Sequence, residues 1–338
     1  MPIRTSATTT PPDILRSAAI ELLVTDLGES RFFYHDVLGL LITYEDSNEI
    51  HLRAFEEYLH HSLVLRKGNA AALKALSYRV RDPRDLDLAE RYFLELGVPV
   101  KRLPAGTIRG FGDVVHVQDP FGFPLEFFCE ADHVERYTQR YDAYRATTLQ
   151  RLDHFNILSS DVAAAKQFYE GLGFRLSEQI QDDQQTTYAA WMFRKPSVHD
   201  IALTAGDGPR MHHFAFNVQE RQEILNLCDK LGALRQAERI ERGPGRHGVS
   251  NACYLYLRDP DGHRVEVFTQ HYYTGDPDNP VKTWSVHDKR RRSWWGHSII
   301  PSWYTEGTVV VNFKGEVQPV VQQGGAIELQ ATIGADGY

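Results

Sequence analysis

The chain has 338 residues, 42% apolar and 24% charged, with a formal net charge of −8 from 37 basic and 45 acidic side chains. That length suits about two domains, and the negative balance argues against a general role on nucleic acid or an anionic membrane. No apolar run reaches the length of a membrane span. Residues 1–16 lack the apolar segment of a secretory signal and read as a flexible leader. Three scattered cysteines, Cys129, Cys228 and Cys253, point to a reducing cytoplasm rather than a disulfide framework.

Residues 20–25 alternate as a strand, and 27–38 place Phe32, Phe33 and Val37 at helical spacing before a stop at Gly39. Short strands are expected at 41–44, 50–53 and 62–66. A second unit follows, with a strand at 75–80, a helix at 85–96 ending at Gly97, and strands at 98–103, 113–118 and 124–129. Residues 130–151 are charged and Tyr-rich and read as a partly helical linker. A strand from His154 then leads to a helix at 162–172 and strands at 174–180, 187–193 and 200–204. The last unit has a strand at 213–218, a helix at 221–231 and strands at 235–240, 252–258 and 264–269. The reading is α+β, with two domains each built from paired βαβββ modules. Its boundaries are a leader at 1–16, a first domain at 17–135 that binds no metal, a linker at 136–150, a metal-binding domain at 151–283 and a tail or lid at 284–338.

The repeat is visible in the residues themselves. DPFGFPLEFF from Asp119 matches DPDGHRVEVF from Asp259, and each Asp-Pro-x-Gly makes a hairpin turn. Aligning the halves sets Ala19 against His154, Ala75 against His213 and Glu126 against Glu266. Two imidazoles and one carboxylate on strands suit a divalent ion whose other face stays open, as in non-haem iron(II) oxygenases. Only the second half can assemble that set. Asn156 lies two residues from His154 and shares its strand face, whereas His212, next to His213, is expected on the opposite face. The Gly-Pro-Gly at 243–245 lacks the Lys-Ser/Thr ending of a phosphate loop and reads as a mobile turn over the pocket.

With LDHFN, MHHFAF and DPDGHRVEVF in view, the chain resembles the vicinal oxygen chelate superfamily and, within it, the type I extradiol ring-cleaving dioxygenases. RIERGPGRHGVSNACYLY, YYTGDPDNP and WWGHSIIPSWYTE narrow the likeness to members acting on 3,4-dihydroxyphenylacetate, and it covers nearly the whole chain. The resemblance implies C-shaped half-barrels, a homotetramer, and Fe(II), or Mn(II) in some members, held by His154, His213 and Glu266. It implies that both atoms of O2 enter a catechol beside its diol, giving 5-carboxymethyl-2-hydroxymuconate semialdehyde in aromatic catabolism. It also implies an acid–base role for His199 and hydrogen bonds to the diol or nearby oxygens from Tyr256 and His247, with Asn156 close by. Trp191, Arg242 and Arg292 would shape the pocket and hold the acetate arm. One departure is Phe268, where the family pattern has tyrosine. An isomerase or lyase of the glyoxalase kind, a dioxygenase for another catechol and an aromatic-acid-binding protein remain as rivals on the same fold.

Overall fold

The computed structural model describes residues 4–322. The first sheet holds β1 (Ile14–Val24), β2 (Leu41–Glu45), β3 (Glu49–Arg53), β4 (Leu63–Lys67), β5 (Ala72–Val80), β6 (Val100–Leu103), β7 (Val114–Gln118) and β8 (Pro124–Phe128). Their order is β2-β3-β4-β1-β5-β8-β7-β6. The second sheet holds β9 (Arg151–Ser159), β10 (Arg175–Gln181), β11 (Thr187–Phe193), β12 (Ile201–Ala205), β13 (Arg210–Asn217), β14 (Ile240–Arg246), β15 (Cys253–Arg258), β16 (Arg264–Thr269), β17 (Lys282–Ser285) and β18 (Thr308–Val309). Its order is β14-β15-β16-β13-β9-β12-β11-β10-β17, with β18 on β13. The helices are α1 (Leu27–Arg31, continued by a π turn over Phe32–Val37), α2 (Arg84–Leu96), α3 (Val162–Gly171), α4 (Arg221–Ala233) and α5 (Ser302–Thr305).

Four times the first strand of a module pairs in parallel with its last: β1 with β4, β5 with β8, β9 with β12 and β13 with β16. Antiparallel pairing of β1 with β5, and of β9 with β13, joins modules within each half. The helix interposed after each first strand is what makes the parallel return possible. The Asp-Pro-x-Gly turns repeat in atomic detail. Asp119 Oδ1 accepts from the amides of Phe121 and Phe123 at 2.9 and 2.8 Å, and Asp259 Oδ1 from those of Asp261 and His263 at 3.0 and 2.7 Å. Gly122 and Gly262, at φ 93° and 85°, take the left-handed conformation that closes each turn.

Four expectations need correcting. Residues 4–13 are fastened to the first domain: the amides of Thr8 and Thr9 donate to Glu95, and that of Asp13 to Asp85. The linker contains no helix among the described residues; its tyrosines instead pack Tyr137 and Tyr144 on Phe55. The strand expected at 235–240 begins only at Ile240, as β14, because α4 runs to Ala233, Arg235 reverses the chain at φ 55° and a 3-10 turn fills Ala237–Arg239. The Gly-Pro-Gly is not a turn but part of β14, with a register shift against β15 between Arg242 and Gly245. A Cβ on Gly243 would stand 2.8 Å from the Tyr254 carbonyl, so glycine permits that close strand contact. Of the expected tail, residues 284–322 form β17, α5 and β18 against the second sheet, whereas 323–338 lie outside the described residues. Among the described residues no helix is long and apolar enough to cross a membrane.

One core spans both halves, with Tyr78 against Phe155 and Phe174, and Phe93 against Phe168. A fully buried carboxylate fastens the halves beside the functional cavity. Asp200 Oδ1 accepts from the Ser17 amide (2.8 Å) on β1 and from Lys195 Nζ (3.1 Å), and Oδ2 from the amides of Arg194 (2.6 Å) and Lys195 (3.0 Å). Removing it leaves buried donors and a lysine charge uncompensated. Asp200→Ala is expected to cost about 3–5 kcal/mol in chemical denaturation. A loss below about 1 kcal/mol, the scale of a surface pair, would show that the halves do not depend on this carboxylate.

Candidate metal centre and its cavity

His154, His213 and Glu266 come from β9, β13 and β16, three strands adjacent in the sheet. Ala215 on the middle strand lies opposite His154 on one side and Glu266 on the other. Its methyl group leaves room for both neighbours to lean together above it. His154 Nε2 is 3.0 Å and His213 Nε2 3.3 Å from the same Glu266 oxygen, Oε2, and all three side chains are buried.

The ring nitrogens that face away are already committed. His154 Nδ1 lies 3.0 Å from Asp153 Oδ2, so the carboxylate fixes the Nδ1–H tautomer and leaves the Nε2 lone pair facing the centre. His212 does not point wholly away from His213. A register shift between Met211 and His213 relaxes the alternation, and the two Nδ1 atoms meet at 2.6 Å. His212 Nε2–H donates to the Trp303 carbonyl at 2.9 Å, so His212 Nδ1 accepts from His213 Nδ1–H and the Nε2 of His213 is again a free lone pair. His212 is thus a support for His213 and does not line the cavity.

The donor set fits a divalent cation. N···O separations of 3.0–3.3 Å are those of ligands sharing one ion at about 2.0–2.2 Å. Burial alone would raise the Glu266 carboxyl, but its bonds to His154 and His213 prevail and hold it well below the usual carboxylate range. Burial lowers His213 to about 4, which keeps its imidazole neutral and able to coordinate. At His154 burial also pulls downward, yet hydrogen bonds to Asp153 and Glu266 outweigh it and raise the pKa. Those two carboxylates favour positive charge at this point, which a bound cation supplies.

The three groups open onto one cavity, and each of the other seven sequence-predicted residues, Asn156, Trp191, His199, Arg242, His247, Tyr256 and Arg292, also lines it. Thr204 Oγ1 donates to Asn156 Oδ1 at 3.1 Å, leaving the amide NH2 for a ligand. The His199 ring centre is 3.8 Å from that of His154, its Nδ1 has no partner among the described residues, and burial holds it neutral, well below the ordinary histidine range. Tyr256 OH donates to His247 Nε2 at 2.9 Å, while His247 Nδ1–H donates to the Arg292 carbonyl at 2.6 Å. Burial raises the Tyr256 phenol well above its usual range, so it remains a donor. Tyr254, the alternative on the same strand, stacks on His247 at 3.8 Å instead.

Positive charge gathers at Arg242, Arg291 and Arg292. Arg242 donates through Nη2 to the Arg292 carbonyl (3.0 Å) and Ser293 Oγ (2.6 Å), while its buried Nε and Nη1 have no partner among the described residues. Its guanidinium lies over Trp303 and Tyr254, at 4.6 and 4.8 Å from the ring centres. The sequence reading left Arg291, Trp303 and His271 unassigned. Trp303 stood inside the PSWYTE motif and Arg291 beside Arg292, so both had a signal. His271 had none: it lies past the end of β16, where strand parity says nothing, and reaches Phe268 (4.2 Å) and His199 (5.1 Å) only through the fold. Phe268 itself packs 5.1 Å from the His154 ring and offers it no hydroxyl.

Residues 16–127 and 151–267 match the sequence pattern of the Glyoxalase/Bleomycin resistance protein/Dioxygenase superfamily. The chain is 30% identical to a manganese-dependent 2,3-dihydroxybiphenyl 1,2-dioxygenase of Geobacillus genomosp. 3, over 86% of this chain and 96% of that one. It is 29% identical to a metapyrocatechase of Geobacillus stearothermophilus, over 91% and 97%. Among solved structures, homoprotocatechuate 2,3-dioxygenase of Brevibacterium fuscum, in complex with 3,4-dihydroxyphenylacetate, superposes with a TM-score of 0.93 at 58% identity, covering 94% of this chain and 100% of that one. The Arthrobacter globiformis homoprotocatechuate 2,3-dioxygenase gives 0.93 at 57% identity, covering 94% and 99%. The chain belongs to the Glyoxalase/Bleomycin resistance protein/Dioxygenase superfamily, among its extradiol ring-cleaving dioxygenases.

Proposed function

We propose that this chain opens the ring of 3,4-dihydroxyphenylacetate with O2 beside its diol, giving 5-carboxymethyl-2-hydroxymuconate semialdehyde. The observation that carries the reading is one buried cavity joining the His154–His213–Glu266 face to the unpartnered Nε and Nη1 of Arg242. A catechol bearing a carboxylate has one end for each. The ion assigned to the three ligands is Fe(II), with Mn(II) the alternative that the same donors accept. Such an ion, when bound, supplies a Lewis acid for the two adjacent ring oxygens and open positions at which O2 meets the ring.

The protein's own groups do the rest. The Asn156 amide donates to an oxygen of the substrate, and Tyr256 does so when its O–H turns from His247 Nε2 toward the cavity; together they fix which ring edge faces the ligands. His199, neutral in its buried place, takes a catechol proton on Nδ1, holds it, and returns it to the developing product. Arg242 Nη2 is held by the Arg292 carbonyl and Ser293, so the acetate takes a single charge-assisted N–H bond, from Nη1 or Nε, rather than a two-pronged one. Arg292 adds charge beside it. The Trp191 and Trp303 rings wall the cavity and restrict water. The supports for the remaining assignments are the free cysteines for a cytoplasmic setting and the family resemblance for a homotetramer. Oxygen uptake matched to yellow semialdehyde formation tests the reaction; turnover without oxygen consumption would indicate the isomerase or lyase alternative, and binding without turnover the aromatic-acid carrier.

Three substitutions separate the roles. His213→Ala should fold and yet lose stoichiometric iron or manganese together with activity; retention of the ion would remove His213 from the centre. His199→Phe should keep both metal and catechol affinity while single-turnover oxygen consumption slows, and metal loss in that variant would mean the imidazole is a ligand. Replacing Arg242 by Leu removes a charge-assisted bond of about 1.5–3 kcal/mol, so KM for 3,4-dihydroxyphenylacetate should rise about ten- to a hundredfold. Unsubstituted catechol should scarcely notice. Equal damage to both substrates would make Arg242 structural and place the carboxylate elsewhere.

A further inference from the structure

The first domain has no triad, but it gathers three imidazoles of its own. His51 sits on β3, and His60 and His61 lie just before β4. His51 and His61 are buried and His60 is half-buried. His61 Nδ1 lies 3.0 Å from His60 Nδ1 and 3.3 Å from His51 Nδ1, and one nitrogen from each ring falls within 4.8 Å of the others.

Register places this cluster on the face that carries the catalytic cavity in the second half. Ile20 on β1 pairs with Leu63, and Phe155 on β9 pairs with Ile201. His61, two residues before Leu63, therefore occupies the place that His199 takes two residues before Ile201. Likewise His51, opposite Val64, corresponds to Trp191, opposite Ala202.

Hydrogen bonding alone does not satisfy the arrangement. A neutral imidazole nitrogen either donates one hydrogen bond or accepts one. His61 Nδ1 faces two other Nδ1 atoms, so a single hydrogen or lone pair must be shared between two partners, and at least one contact is weaker than a full hydrogen bond. Protonation would not relieve this. Burial, the largest influence at each ring, lowers all three histidines, His61 most strongly, and the nearest carboxylate lies on the far side of His51. That carboxylate is Glu49, whose Oε1 stands 3.1 Å from His51 Nε2 but off the line of a good hydrogen bond. Its charge favours the Nε2–H tautomer and leaves Nδ1 as a lone pair, as carboxylates behind metal-bound histidines do. Glu49 is in turn held by Arg66 Nη1 at 2.7 Å, with Arg109 Nε at 3.8 Å. His61 is fixed from the other side by stacking on Phe111 at 4.3 Å.

We propose that His51, His60 and His61 form a second metal site, which takes a zinc-class divalent ion through three Nδ1 atoms and leaves its remaining position to water. N···N spacings of 3.0 and 3.3 Å are close to the edge of a coordination shell with bonds of about 2.0–2.1 Å. An all-imidazole set without a carboxylate ligand selects zinc, nickel or copper over magnesium or calcium. The half-buried His60 supplies the small rotation that closes the third edge.

The test counts ions. Full-length protein stripped by chelator, reloaded with Zn2+ alone and passed through gel filtration should carry two ions per chain. His213→Ala should carry one, and His51→Gln should also carry one while the far-ultraviolet circular dichroism of the parent is kept. Loss of one ion on His51→Gln supports the site whatever the count at Glu266, so it stands or falls separately from the assigned reaction. If His51→Gln fails to fold, His60→Gln, at the less buried position, gives the same reading. An unchanged count in the folded variant, or no ion left in His213→Ala, would overturn the second site.

Discussion

Two imidazoles aimed at a single oxygen of a buried carboxylate make the contact on which the site's architecture depends. Without a cation, His154 gains a proton between Asp153 and Glu266, as its raised pKa records, whereas His213, held neutral, turns a lone pair toward the Glu266 charge across 3.3 Å. Folding accepts this because each imidazole is locked from behind, one by Asp153 and the other by the relay through His212 to the Trp303 carbonyl. The locks need their own supports. Asp153 is fully buried near Lys195, and Lys195 is bound by Asp200, the residue that ties β1 to the second sheet. The position of His154 and the joining of the halves are thus parts of one hydrogen-bonded system.

The first half shows what happens when the same scaffold carries no triad. Glu126, at the position of Glu266, accepts from Ser77 Oγ at 2.9 Å and is satisfied within its own sheet. Ala18 and Ala19, where the second half has Asp153 and His154, join Phe111 and Phe128 in a small cluster, with the two aromatic rings stacked at 4.0 Å. Burial of such a ring stabilises by about 1.5–3 kcal/mol. Part of the space that holds ligand in the second half is filled with side chain in the first, and its edge with histidine.

Much of this was legible in the residues because it is local or repeated. The four modules, the Asp-Pro-x-Gly turns and the equivalence of Ala19 with His154 follow from periodicity and internal likeness, and the strand register bears each out. Parity along one strand placed Asn156 beside His154. It kept His212 off the cavity as expected, but a register shift against β9 brings its ring close enough to bond His213, which parity could not announce. It had nothing to say about His271, beyond a strand end. The strand expected at 235–240 starts late because Arg235 adopts a left-handed conformation that no local pattern announced. The resemblance named pocket residues that periodicity cannot reach, and all of them line one cavity.

The cationic end of that cavity joins Arg242 on β14 of the last module to residues that lie outside the repeat. Arg291, Arg292 and Trp303 come from the segment after the last module, which docks through β17 and β18 onto the second sheet. Burial pushes Arg291 down to about 10 and lowers Arg292 as well, so gathering guanidiniums here opposes folding. The aromatic faces of Trp303, Tyr254 and Tyr304 beneath Arg242 and Arg292 offset part of that cost. At Arg242 two guanidinium nitrogens, Nε and Nη1, stay without a partner among the described residues. An aromatic wall keeps a guanidinium buried and still available to an anion, whereas a salt bridge would only keep it buried. Cation–π contact thus keeps positive charge buried at the end of the cavity away from the Glu266 carboxylate, partly on a segment that also supplies the Trp303 carbonyl behind His212.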